Sequence, residues 1–223
     1  MRHKKYLIFN GTPGKIGEEV RPMAYDKRLI AGKLRRWEKY LQRFELPTWE
    51  ELPDFGLYME QVITLMKQYL DYLPPELKEE QFITPATINN YVRTKVMPEP
   101  NHKRYFREHL AYLIIILTLK QSLSIAMISK IIPMGISEDE VKKIYSTYVV
   151  RHAMARKIFN EQIRMLAGPI LDHENCSEMA TEQTEDVIAM AAVMAGFQRL
   201  MSEKLLLLDG RTLEDGDTIE IEQ

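Results

Sequence analysis

The sequence predicts an all-α protein, and three observations carry that expectation. Apolar residues recur at the helical spacing of i, i+3, i+4 in one segment after another, from Leu29 to Leu205. The 11 prolines fall at the starts of these segments or between them and interrupt none. Strand-like patterning is confined to the run Tyr6 to Phe9 and to a Thr/Ile alternation near the C-terminus, where two Asp-Gly pairs are consistent with a small hairpin.

Composition sets the class. At 223 residues, 45% apolar and 28% charged, the chain can bury a sizeable core in one or two domains. One cysteine excludes an internal disulfide framework, and the N-terminus lacks a secretory apolar region. The longest apolar run, Leu110 to Leu119, is well short of the roughly 20 residues of a membrane span, so it is expected to be a core helix. A cytoplasmic protein without membrane contact is expected. The net charge of −2 hides an asymmetry: residues 1–43 carry 12 Lys/Arg against 4 Asp/Glu, and residues 174–223 carry 3 against 12. That distribution suggests a basic, DNA-facing front and an acidic back.

The elements follow in order. Residues 1–26 are expected to be poorly ordered or peripheral. Within them, Gly11 to Ile16 resembles a phosphate loop, but it lacks the four-residue glycine spacing and the hydroxyl after the lysine, so no nucleotide site is expected. Leu29, Ile30, Leu34, Trp37, Leu41 and Phe44 place a helix over 27–44 whose other faces are rich in Lys and Arg, suited to DNA phosphates or an acidic partner. Trp49 should anchor the proline-rich joint after it. Leu57, Val62, Leu65, Met66, Tyr69 and Leu73 make a support helix ended by Pro74-Pro75, and a charged spacer, Glu76 to Gln81, follows.

The stretch Ile83 to Ile132 reads as three helices with a basic loop. Thr84 can cap the first while Pro85 occupies its opening position. Ile88, Tyr91, Val92 and Val96 form its buried stripe, leaving Thr87, Asn89, Asn90 and Arg93 outward with no acidic neighbour on the helix. Asn and Arg can make the bidentate hydrogen bonds that read adenine and guanine in a major groove. A recognition helix over 84–97 is expected. The loop over 98–107 then sets Lys103, Arg104 and Arg107 around Tyr105 and Phe106, cations and rings suited to a phosphate backbone.

After Pro133-Met-Gly135, Ser137 and Glu140 form a capping box for a long helix striped by Val141, Ile144, Tyr145, Tyr148, His152, Ala155, Phe159, Ile163 and Leu166. A last helix, from about Glu178 to Leu208, should turn Val187, Met190, Ala191, Met194, Ala195, Phe197, Leu200, Met201 and Leu205 inward, with Gly196 at a close crossing. These two should pack as a hairpin able to form a homodimer or hold an effector. The expected division is 1–26 peripheral, 27–135 a DNA-binding helical domain, 136–208 a dimerisation or effector part, and 209–223 an acidic tail.

Thr87-Ile88, Tyr91, Val96-Met97-Pro98, Arg104-Tyr105, Glu108 to Leu110, and Ser124 with Ile125, Ile128 and Ile131 resemble the winged helix-turn-helix of the MerR regulators. Lys95 stands where that family has a glycine. With the flank Leu46 to Val62, the pattern is most similar to an uncharacterised bacterial family of unknown function carrying a MerR-like DNA-binding region. The resemblance implies a winged helix-turn-helix with additional N-terminal helices and a C-terminal bundle. It also implies double-stranded DNA as partner and adds Tyr91 and Tyr105 to the contacting set. The chain is then a transcriptional regulator; the alternative is a protein-interaction module that keeps the fold without the DNA.

Enzymatic chemistry is not expected, because no nucleophile–base pair, zinc-protease motif or Rossmann glycine run is present. His173 and Cys176 are too few for a metal site and no cofactor is implied. His152, on an apolar stripe, is expected to be a core histidine.

Overall fold

The computed structural model describes residues 25–72, 83–172 and 177–210. Among them are seven helices and no named strand, so the all-α expectation holds. They are α1 (Lys27–Arg43), α2 (Met59–Tyr69), α3 (Pro85–Arg93), α4 (Arg107–Leu119), α5 (Ile125–Ile131), α6 (Glu138–Ala167) and α7 (Thr184–Leu206). Tyr6 to Phe9, the Gly11 to Ile16 loop, Pro74-Pro75, the spacer Glu76 to Gln81, His173, Cys176 and the alternation in the acidic tail lie outside the described residues. No helix among the described residues is long and apolar enough to cross a membrane.

Local chemistry sets the helix ends. Thr84 Oγ1 accepts from the Thr87 N–H while Pro85 opens α3, satisfying one orphan donor and removing another. The Ser124 hydroxyl caps α5. Ser137 and Glu140 close a capping box on α6, each side chain bonded to the other's backbone N–H.

α4 is the axis of the main core. Every residue from His109 to Leu117 is buried, as expected for a helix apolar on all sides. At about 1.5–3 kcal/mol for each fully buried Leu or Ile, this one helix contributes much of the hydrophobic stabilisation. Around it pack Val62 and Met66 of α2, Ile88 and Tyr91 of α3, Ile128 of α5, and Val141 and Tyr145 of α6. Trp49 sits in this core, as expected, and the Tyr145 hydroxyl donates to Pro47 O at 2.7 Å, tying α6 to the joint before α2.

A second, smaller cluster joins Ala31 of α1 to Ile163, Ala167, Ile170 and Leu171, with Leu34 and Val187 against it. α1 thus packs antiparallel along the later turns of α6. Three polar fixings hold it: the Glu38–Arg164 ion pair, Arg156 Nη1 donating to Leu41 O, and Arg35 donating to Leu171 O and Asp172. His152 lies half-buried among Phe44, Tyr72 and Tyr148, where burial and then the Arg156 charge lower its basicity.

α7 packs beside α6 as the other arm of a hairpin, with Val187 at the Ala167 end and Leu206 reaching the main core. The inward role expected of it is overturned at Ala191 and Ala195, which are exposed, and throughout its second half. Phe197, Leu200, Met201 and Leu205 are 67%, 46%, 60% and 62% exposed, because the helix is apolar on more than one face and one chain covers only one of them. Gly196 has open space where a side chain would go, so it marks no close crossing.

Candidate nucleic-acid interface

α3 is held rigidly from behind. Ile88 is fully buried and Tyr91 is 1% exposed, so the helix has one inner face and one free one. The free face carries Asn89 and Arg93, exposed, with Asn90 and Thr87 at its edges. Arg93 Nη2 donates to Asn90 Oδ1 at 2.7 Å, which holds the guanidinium beside an amide with its other donors still open. Thr87 is drawn into the cap, its hydroxyl 2.9 Å from that of Thr84.

Tyr91 leaves the contacting set. Its ring is inside the core, its hydroxyl has no partner among the described residues, and burial pushes the phenol up to about 12. A side chain with no accessible surface cannot touch a base. Lys120, the residue after α4, lies over this ring at 6.0 Å and adds a cation next to α3 that the sequence spacing does not reveal.

The loop after α3 is a compact turn. Asn101 and Arg104 pair in an isolated bridge, and Leu57 and Tyr105 exchange both backbone hydrogen bonds, at 2.8 and 2.9 Å. His109, buried in α4, fixes it from below: Nδ1 accepts from the Phe106 N–H at 3.1 Å, so Nε2 carries the proton and donates to Glu99 O at 3.0 Å. Tyr105 is 3% exposed and packs edge-on to His109, so it too is a core residue and no DNA contact.

Two of the loop's cations are turned to the protein. Arg104 stacks on Tyr58 at 4.0 Å, donates to Gly56 O at 3.2 Å and to the Tyr58 hydroxyl at 2.7 Å. Gly56 makes room for it, since a Cβ there would stand 2.9 Å from the arginine side chain. Arg107 donates from Nε to Leu52 O at 2.9 Å, with its guanidinium 5.7 Å from the Trp49 ring. The joint over Leu52 to Tyr58 takes up the charges expected on phosphate. These are cation–π and carbonyl contacts between segments about 50 residues apart, beyond the reach of a local pattern.

Lys103 remains exposed, and it is joined by two residues outside the expected set. Lys95, His102 and Lys103 have φ of 56°, 48° and 62°. All three are exposed. Non-glycine residues seldom adopt this left-handed region, at a cost of about 1–2 kcal/mol each. Lys95 occupies the turn that closes α3, where Val96 N–H bonds to Tyr91 O at 2.9 Å, a position suited to glycine. Its side chain nonetheless supplies a cation at the C-terminal end of the helix.

The basic α1 finds acidic partners within the chain. Lys27 pairs with Glu182 and Arg35 with Asp172, so part of the charge asymmetry between the two ends is matched internally. Exposed pairs of this kind contribute little to stability. Among the described residues no group of three or more His, Cys, Asp or Glu is placed to hold a metal.

Residues 47–148 match the family model of a domain of unknown function, DUF1836. The matched stretch runs from the joint before α2 into α6 and takes in nearly all of the main core. No curated protein and no solved structure matches the chain.

Proposed function

We propose that this chain is a DNA-binding transcriptional regulator of winged helix-turn-helix type that docks α3 in a major groove. The observation that carries the reading is the free face of α3: Asn89, Asn90 and Arg93 on a helix without an acidic residue, backed by a fully buried inner face. Amide and guanidinium groups are the side chains that read adenine and guanine edges. Lys95, Lys103 and Lys120 are the phosphate anchors in this arrangement; Arg104 and Arg107 hold the turn and do not anchor it.

A second copy of the chain belongs to the same proposal. Seven apolar side chains along the outer side of α7 and just past it, Val193, Phe197, Leu200, Met201, Leu205, Leu207 and Leu208, are 45–67% exposed. Large apolar side chains exposed singly are ordinary, but seven on one continuous stripe are the kind of surface that marks a protein–protein contact. Two copies joined there would give the two-fold arrangement that reads paired half-sites.

The test is fluorescence anisotropy on duplexes selected from random sequence. Asn90→Ala and Arg93→Ala should each cost about 1–3 kcal/mol and relax preference at one base position, whereas Lys103→Ala should weaken all duplexes alike. Equal affinity of the wild type and Arg93→Ala for selected duplexes would remove α3 as the reading element.

A further inference from the structure

We propose that the pocket between α1, α6 and α7 is a binding site for a small, neutral, largely aromatic molecule with a hydrogen-bonding edge. The proposal does not rest on DNA binding. The pocket holds about 300 Å³, the lower end of the range for ligand sites, and twice the roughly 150 Å³ of an engineered apolar cavity that takes up benzene.

Two of its walls are fixed to each other and the third carries little bulk. On the α1 side, Leu34 and Trp37 are held in place along α6 by the Glu38–Arg164 pair and by Arg156 on the Leu41 carbonyl. On the α7 side, Ala191 and Ala195 present almost no bulk, so the space is not filled from that wall. Trp37 and Phe159 meet edge to face at 5.5 Å, both partly exposed, offering rings to a flat guest.

The chemistry of the lining selects the guest. No residue of it is charged, so an ion would lose its hydration without a counter-charge. Gln162 and Gln198 are the lining amides, and neither side chain has a hydrogen-bond partner among the described residues. A carboxamide both donates and accepts, so it suits the edge of a neutral heterocycle or an amide-bearing ring. The pocket is also distinct from the stripe offered to a second copy: Val193, Phe197 and Leu200 lie on the opposite side of α7 from Ala191, Ala195 and Gln198.

N-phenyl-1-naphthylamine, a neutral aromatic amine that fluoresces when removed from water, is the probe. Titrated into the full chain, it should bind saturably, and Ala191→Phe should weaken binding at least tenfold while circular dichroism stays unchanged. Ala195→Leu, one turn along, is the filling variant to use should the first not fold. Phe197→Ser should leave probe affinity within twofold. Absence of saturable binding, or equal binding after the pocket is filled, overturns the proposal. So does loss in Phe197→Ser with filling variants unaffected, because the probe would then occupy the outer stripe.

Discussion

Tyr91 shows how one side chain separates structural from functional roles at the candidate interface. Its ring is buried in the main core, while its hydroxyl is buried without a partner among the described residues. An unpaired buried hydroxyl costs about 1–3 kcal/mol, and removing it leaves the packing in place. Tyr91→Phe is therefore expected to raise stability by about 1 kcal/mol in urea unfolding and to leave DNA affinity unchanged. A drop in DNA affinity at unchanged stability would return the hydroxyl to the contacting set. Lys95 is the counter-example, since its backbone is strained and its side chain is free. Strain kept at an exposed cation is intelligible when the cation has work that glycine cannot do.

The turn between α3 and α4 is where element-scale reasoning changes the outcome for particular residues. Arg104 links the Asn101–Arg104 bridge to Gly56 and Tyr58, so Arg104→Ala should destabilise the fold by about 1–3 kcal/mol, from a lost stack and two lost hydrogen bonds. Gly56→Ala should act in the same direction by pushing the arginine out of its seat. If either variant keeps wild-type stability while losing DNA affinity uniformly, Arg104 is a phosphate anchor after all. The helix starts at Thr84-Pro85, Ser124 and Ser137 were legible in the sequence because a cap involves residues three positions apart. The outward set Asn89, Asn90 and Arg93 was legible from 3.6-residue periodicity. The destinations of Arg104 and Arg107 were not, because their carbonyl and ring partners lie about 50 residues upstream. Nor was the exposure of Phe197, since an apolar helix reads the same whether its own chain or another copy covers it.

At the scale of the whole molecule, the chain divides its stabilisation between two clusters. The core around α4 holds the candidate recognition helix, and the α1–α6–α7 layer carries the apolar surface that one copy leaves uncovered. If a second copy covers it, Phe197→Asp should turn a sedimenting dimer into a monomer at tens of micromolar without altering helix content, because the residue has few contacts to lose within its own chain. A wild type that sediments as a monomer at that concentration would sink the two-fold arrangement. DNA binding bears on the other cluster, and salt probes it most directly. A protein that neutralises Z phosphates loses affinity as the logarithm of salt with slope about −0.9Z on duplex DNA. The measurement is wild-type anisotropy on a selected and a scrambled duplex across a salt series. The account predicts tighter binding to the selected duplex, with a slope that falls by about 1 in Lys103→Ala and is unchanged in Asn90→Ala. Binding weaker than about 100 μM to both duplexes at low salt, below even non-specific DNA binders, would contradict it and leave a protein-interaction module in its place.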